Sequence, residues 1–461
     1  MGNNGAKEGF LRLEVECSVN LLSRFLQLGP ARERLRVESK YGLSRTHDRS
    51  TNMSHLVAGV VRCEQSTGCT AQLRQPLLIW AGSPSAVEIW DANGPCPYLK
   101  YWSFFMDEAK LGALSKRIMG IYEGALVSGM VYLGDEMGLY RAMHEQGPIT
   151  SDQVAARAGL HERFVREWLS LQAAAGLIEY QGDGLFFLSP EAGLLLAEEE
   201  DLRSMARWFD NFPQRTALLS EIPRSFKTGI GISWSDVERG GTSGRVQWME
   251  RLLRPWYEQV LVQTVLPELD GLIESLNAGS RVADVGCGSG VAVVTMASAF
   301  PKSEFYGWEI APLALDRCRE NAIQAGVTNA VFHDVRQQQL PEDGSFEFVT
   351  TFDCVHDMTS PDELATAIYN SMTPDGRWLI VDPTSKGTLE ENIEMPLAVF
   401  GYAASVAGCL QSAMSEPNGA GHGVFGLPAP AMQELTEKAG FTRFRQLDIT
   451  HAMNSYYEVR P

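Results

Sequence analysis

The sequence predicts an α/β protein, a mostly parallel sheet with helices on both faces, preceded by a mainly helical winged-helix domain. Three observations predict it. From Arg281 onward strand-like apolar runs alternate with helical stretches, the pattern of parallel strands joined by right-handed crossovers. The first strand leads into VADVGCGSG, residues 282–290, with three glycines at every second position. That is a strand, a tight turn and a helix, bare enough for a ligand to lie against the backbone. Upstream, several helical stretches end in a short hairpin, which is how a winged helix reads.

Residues 1–105 carry no sustained periodicity and hold turn-rich pieces such as Gly82-Ser83-Pro84. They read as a loosely ordered extension or as sequence outside the folded unit. A chain beginning at Met106 is expected to stay soluble and fold, and its insolubility would contradict that boundary.

Residues 106–200 form the winged-helix segment. Leu111, Leu114, Ile118, Ile121 and Ala125 fall on one helical face, and a second helical stretch spans Gly134 to Met143. Thr150 or Ser151 caps a further helix, Gly159 breaks the chain, and a third helix covers Glu162 to Ala175. Runs from Leu177 to Tyr180 and from Leu185 to Leu188 make the hairpin. The third helix sets Arg163 and Arg166 against Glu162 and Glu167 and turns apolar after Trp168, which suits burial or dimerisation better than a DNA groove. Residues 201–275 read as a helical connector, with Trp208, Phe209, Phe212, Trp234, Trp248 and Trp256 chiefly as core. Gly229-Ile230-Gly231 and the run from Gly240 to Gly244 read as loops.

Residues 276–461 are the α/β domain. Its strands are read at 282–285, 305–309, 330–334, 346–351 and 378–381, with helices at 291–299, 312–325 and 361–371. Two more strands lie in the C-terminal stretch FTRFRQLDITHAMNSYYEVRP.

The net charge is −18 over 461 residues. It is uneven, since residues 1–105 hold 12 Lys and Arg against 9 Asp and Glu while the rest carries −21. So acidic a body is repelled by phosphate backbones, so nucleic acid is not the expected partner. The eight cysteines show no C-x-x-C spacing, so no metal is expected and the thiols suit a cytoplasmic protein. No run of 18 uncharged apolar residues is present, so no membrane span is expected.

The chemistry begins at the glycines. G-x-G-x-G lacks the later glycine of the dinucleotide pattern and the Gly-Lys-Ser/Thr of a phosphate loop, and no Lys or Arg stands beside it. The expected cofactor therefore has no phosphate. Glu309 ends the next strand, 25 positions after Asp284, where a carboxylate can accept from both hydroxyls of a ribose. Asp334 ends the third strand and can accept from the adenine amino group, with the Val335 N–H serving a ring nitrogen. Together these residues describe an adenosine pocket.

On VADVGCGSG, Glu309 and Asp334 the sequence resembles the class I S-adenosylmethionine-dependent methyltransferases, whose fold is a Rossmann-like seven-stranded sheet. With its winged helix it is similar to the small-molecule and plant-type O-methyltransferases and to a bacterial winged-helix methyltransferase group. The resemblance implies S-adenosyl-L-methionine as cofactor, held by Asp284, Gly286, Gly288, Gly290, Glu309, Asp334, Val335 and Phe352. It implies a small-molecule acceptor, methylated on a hydroxyl oxygen or alternatively on nitrogen or sulfur, and a homodimer through the winged helix. In FEFVTTFDCVHDM it matches His356-Asp357 to the family's His-Asp pair, with His356 as general base and Asp382 as its orienter. The second orienting acid expected near Gly426 is absent. Two assignments therefore stay open: His356 as base or as a residue that only shapes the pocket, and Asp382 as orienter or as a cap for the following loop. Tyr402, Ser405 and Cys409 at near-helical spacing, the loop Glu416 to Gly423 with His422, and Asn454 and Tyr456 are further candidates for the pocket wall. Two rivals from other classes are a winged-helix transcription regulator with a vestigial cofactor pocket and a nicotinamide-dependent oxidoreductase. Charge disfavours the first and glycine spacing the second.

Overall fold

A computed structural model describes residues 107–235 and 244–461, and within residues 1–105 only the backbone of seven strands. The chain divides into two compact units, Met1–Gly120 and Ile121–Pro461. In the first, Val57–Glu64 pairs antiparallel with Arg34–Glu38 and with Leu77–Ser83. Most of the expected N-terminal extension, and nearly all of the glycine run at 240–244, lie outside the described residues.

The winged helix starts with α1 (Glu108–Glu136), one 29-residue helix where periodicity predicts two stretches. Gly134 does not break it. A Cβ there would collide with the rings of Trp168 and Tyr140, so this glycine admits packing rather than a turn. The chain turns at Gly138, φ 67°, into α2 (Leu139–Met143). β1 (Ile149–Thr150) leads into α3 (Ser151–Ala158), which Thr150 caps as expected: Gln153 N–H donates to Thr150 Oγ1, and Thr150 N–H to Gln153 Oε1. Then come α4 (Glu162–Ala174) and the hairpin β2 (Glu179–Gly182) and β3 (Leu185–Phe187). β1 was not foreseen, yet it pairs with β3 and completes a three-stranded sheet. Tyr140, Met143, Val154 and Leu169 fill the core. The α4 arginines pair with their own helix, Arg163 with Glu167 at 2.6 Å and Arg166 with Glu162 at 3.3 Å.

α5 (Pro190–Leu196) ends the winged-helix segment, and the connector holds α6 (Phe212–Leu218), α7 (Ile222–Thr228), α8 (Gly244–Trp256) and α9 (Leu272–Ala278). α8 continues as a nine-residue π-helix, Tyr257–Val265, an irregularity that often marks functional positions. Arg251 of α8 donates to Asp135 of α1 at 2.6 Å and to Glu199 at 2.7 Å. Glu250 accepts from Arg317 at 2.7 and 2.8 Å. Buried charges of this kind are tolerated because they are paired, and they tie α1 and the α/β domain to one helix.

The α/β domain runs β4 (Arg281–Val285), α10 (Val291–Ala299), β5 (Glu304–Glu309), α11 (Pro312–Ala325), β6 (Ala330–Asp334), β7 (Phe346–Phe352), α12 (Pro361–Ser371) and β8 (Met372–Pro383). After α13 (Leu389–Asn392), α14 (Ala398–Ala404), α15 (Leu410–Ala413) and α16 (Ala429–Ala439), it closes with β9 (Arg443–Gln446) and β10 (Asn454–Arg460). The seven strands lie in the order β6-β5-β4-β7-β8-β10-β9. The first five are parallel, and β10 runs antiparallel to β8 and β9.

Successive residues Val282 and Ala283, Phe348 and Val349, and Leu379 and Ile380 join opposite core clusters. Both sheet faces are thus covered, as parallel sheets require. β4 and β5 are neighbours flanked by β6 and β7, and their carboxyl ends form the rim where ligands bind in such sheets.

Candidate active site

The glycine loop leaves β4 with Gly286, Gly288 and Gly290 at φ 74°, 55° and 74°, the left-handed region that glycine enters without a Cβ penalty. The N–H groups of Gly286 and Cys287 both donate to the Trp308 carbonyl, at 2.8 and 3.1 Å. The three glycines differ in what surrounds them. A Cβ on Gly286 would sit 2.9 Å from Cys354 Sγ, and one on Gly290 would sit 2.8 Å from the Phe332 ring, but one on Gly288 meets nothing within 4 Å. Gly286 and Gly290 serve the protein's own packing, whereas Gly288 faces open space. Gly288→Val is therefore expected to weaken cofactor binding at least roughly tenfold, the cost of overfilling a contact surface, with only about 1–2 kcal/mol of backbone strain. Titration calorimetry and thermal melting separate these effects, and unchanged affinity in a folded variant would contradict this role.

Glu309 and Asp334 stand side by side, registered across β5 and β6. Glu309 Oε2 accepts from Gly288 N–H at 2.9 Å, and Oε1 from Ile310 and Ala311 N–H at 2.8 and 2.9 Å. Burial pushes its carboxyl above the usual range, and the three amides oppose that shift. Three of its roughly four acceptor positions thus hold the loop in place. Asp334 accepts from the Arg336 guanidinium at 2.8 and 2.7 Å, an arrangement that draws its carboxyl down to about 2. The Val335 N–H is already engaged, donating to the Glu309 carbonyl at 3.2 Å, so it is not a free donor in this state.

Asp284 is buried at the heart of the sheet, where Thr350 Oγ1 donates to its Oδ1 at 2.7 Å and Oδ2 has no partner. Burial raises its carboxyl to about 7. Since the folded form binds its proton more tightly than the unfolded chain, the group's stabilisation is full below about pH 4 and fades as pH rises to 7. A shift of this size corresponds to about 4 kcal/mol. In Asp284→Asn the decline of stability between pH 4 and 7 should become shallower by denaturant titration, and an unaltered slope would contradict the account.

At the carboxyl ends of β7 and β8 the structure brings His356 and Asp382 together. Both are buried, with His356 Nδ1 2.9 Å from Asp382 Oδ1. A carboxylate only accepts, so Nδ1–H donates to it, and Nε2, which has no hydrogen-bond partner, is the nitrogen left to exchange a proton with the pocket. Burial alone would lower the imidazole pKa, but Asp382 and then Cys409 outweigh it and hold the pKa well above the ordinary value. The side chain that sequence reasoning set beside the cofactor, Phe352, packs against Tyr257 and Trp256 at ring distances of 5.3 and 6.1 Å. Tyr456 joins the same cluster.

Asp353 carries no motif in the sequence, and Trp234 reads there chiefly as core. Asp353 has φ 51°, strained for a non-glycine residue, and its Oδ1 accepts from Asn454 Nδ2 at 2.8 Å. Burial and the neighbouring Asp382 lift its carboxyl to about 7. Its place directly after a strand-end aromatic was the only signal. Trp234 Nε1 donates to Asp357 Oδ2 at 2.7 Å across 123 residues, and no spacing announces that.

The tail closes in from the other side. A Cβ on Gly231 would collide with the Gln411 carbonyl, and Gly231 N–H donates to the Met414 carbonyl at 2.7 Å. The connector thereby seats on the segment that carries Cys409. Tyr402 stacks edge-on against Phe425 at 4.7 Å, as core. His422 is half-buried, and burial lowers its pKa.

Residues 276–413 match a family described as a methyltransferase domain, and residues 125–197 match the Rv2258c-like winged HTH domain. No curated protein sequence matches the chain. Among solved structures, a Nostoc punctiforme protein assigned as an O-methyltransferase is similar at TM-score 0.58 and 16% identity, covering 76% of this chain and 98% of its own. Human N-acetylserotonin methyltransferase, in complex with S-adenosylmethionine, is similar at TM-score 0.55 and 17% identity, covering 78% and 99%. An O-methyltransferase of neocarzinostatin biosynthesis, in complex with S-adenosylhomocysteine and 1,4-dihydroxy-2-naphthoic acid, gives TM-score 0.52 and 16% identity, covering 72% and 95%. Identities this low establish the shared fold.

Proposed function

From a methyltransferase domain joined to a winged-helix domain, we infer an enzyme that uses S-adenosylmethionine, and we propose a small molecule's hydroxyl oxygen as the acceptor. The observation that carries the choice of oxygen is the buried His356–Asp382 pair, whose Nε2 has no hydrogen-bond partner and serves as base once its own proton has left.

The residues at the strand ends fit the cofactor. Gly288 leaves the loop open, Glu309 and Asp334 stand together as hydrogen-bond acceptors, and Asp284 keeps an unsatisfied buried oxygen suited to a cationic group. When bound, the cofactor supplies an electrophilic methyl group on a sulfonium whose leaving group departs neutral. Glu309 would hold the ribose and Asp334 the adenine amino group, with Arg336 sharing or leaving that carboxylate. Asp382 fixes the imidazole so that Nε2 takes the hydroxyl proton as the oxygen attacks. Positioning carries much of the rate, with effective molarities of about 10⁵–10⁸ M within reach.

The chain's partner is a small molecule rather than nucleic acid: the α4 arginines that would meet phosphates are paired with Glu162 and Glu167. Exposed Leu114, Ile118, Ile121 and Leu126 on α1 support a homodimer through this domain. Cys287, Cys318, Cys354 and Cys409 are free thiols, in keeping with a cytoplasmic setting. No helix among the described residues is long and apolar enough to cross a membrane.

The test is an acceptor screen with methyl-labelled S-adenosylmethionine over phenols, alcohols, amines and thiols. Label on a hydroxyl compound supports the proposal, and label only on nitrogen or sulfur overturns the choice of oxygen.

A further inference from the structure

Three side chains of different chemistry converge beside the His356–Asp382 pair. A ring nitrogen of His356, a carboxylate oxygen of Asp357 and Cys409 Sγ all lie within 4.8 Å of one another. The two β7-end residues are buried, and Cys409, on the π-helical turn Ser405–Cys409 after α14, is half-buried.

The supports behind these groups are those of a metal site. His356 is oriented through Nδ1 by Asp382 at 2.9 Å, which leaves Nε2 directed away from that carboxylate and without a hydrogen-bond partner although the residue is only 2% exposed. A carboxylate behind a histidine fixes the ring and raises its basicity toward a cation. Asp357 is held in turn by Trp234 Nε1 at 2.7 Å. Imidazole, carboxylate and thiolate together suit a borderline divalent ion. Tetrahedral zinc would need its ligand atoms about 3.3–3.7 Å apart, and the present separations are bounded by 4.8 Å.

We propose that His356, Asp357 and Cys409 bind a zinc-class divalent cation, and that the cation switches the enzyme off by occupying the nitrogen that would serve as base. Three protein ligands leave a fourth position for water. On binding, Cys409 and the protonated imidazole of His356 each give a proton to solvent, leaving a thiolate and a neutral ring, with no change of oxidation state. The site itself stands on ligand geometry, and only its inhibitory effect rests on the base assignment of His356. The sequence concealed the cluster because Cys409 stands 53 positions beyond His356, on a separate element.

The experiment titrates the full chain, without cofactor, with Zn²⁺ and with Co²⁺, whose thiolate complexes show a charge-transfer band in the near ultraviolet. The proposal expects one tightly held ion per chain and a thiolate–cobalt band. In Cys409→Ser the band should vanish and zinc affinity fall at least tenfold, and in His356→Gln affinity should also fall. Cys287→Ser and Cys318→Ser, a pair with sulfurs 4.0 Å apart, should keep both. Circular dichroism selects folded variants, and the wild-type spectrum alone decides if any fails to fold. No retained ion, no thiolate band in the wild type, or a band that persists in folded Cys409→Ser would overturn the proposal. Calorimetry of S-adenosylmethionine on the metal-free chain reports the cofactor separately, so either assignment can fail alone.

Discussion

Replacing His356 by Gln should lower turnover at least tenfold, and by about 10²–10⁴-fold if proton removal contributes fully, while S-adenosylmethionine affinity stays within about twofold. The residues proposed for the cofactor lie on the glycine loop and the ends of β5 and β6, whereas His356 lies beyond β7 with its ring held by Asp382. A loss confined to turnover is what removal of a group acting on the acceptor's proton produces. Glutamine preserves a donor toward Asp382, so the buried carboxylate is not stranded. Steady-state kinetics with an identified acceptor, beside calorimetry on the same preparation, decides the matter. Wild-type turnover in the variant would leave His356 as a residue that merely shapes the pocket.

Glu309→Ala should weaken S-adenosylmethionine binding by roughly 10–100-fold, the equivalent of one charge-assisted hydrogen bond lost. A second effect should accompany the first, because the same carboxylate accepts from Gly288, Ile310 and Ala311. With those amides released, the loop loses its anchor and the melting temperature falls. Glu309 orders the loop and is proposed to receive the ribose, so the two losses should appear together in calorimetry and thermal melting. Undiminished affinity in a folded variant would show that neither role is real.

The α/β domain was legible because its strands, covered on both faces, are near-continuous apolar runs, and because its helices carry clear stops. α11 and α12 begin at Pro312 and Pro361, where proline suits the first turn, and Gly326 ends α11 at φ 68°. β8 was underestimated: Pro374-Asp375-Gly376 looks like a turn but continues the strand from Met372. α1 was split at Gly134 for a similar reason, since the glycine answers to Trp168 and Tyr140 rather than to a bend.

Within the site, Glu309 and Asp334 could be set on one rim because they end successive strands of a parallel sheet, and the pairing of His356 with Asp382 was implied by the family resemblance. What adjoining groups do to them could not be anticipated. Arg336 binds Asp334, the Val335 amide turns to Glu309, and Trp234 reaches Asp357 from the connector, more than a hundred residues upstream. Such contacts are set by how the connector and the tail fold back over the sheet, and no local periodicity encodes them.

The central claim is that the rim of β4, β5 and β6 is a site for S-adenosylmethionine. Isothermal titration of the full chain with S-adenosylmethionine and with S-adenosylhomocysteine tests it most directly, with NAD as the control. The account predicts saturable binding of both sulfur compounds at one site per chain and no heat with NAD. An absence of binding by both, or a preference for NAD, would contradict it.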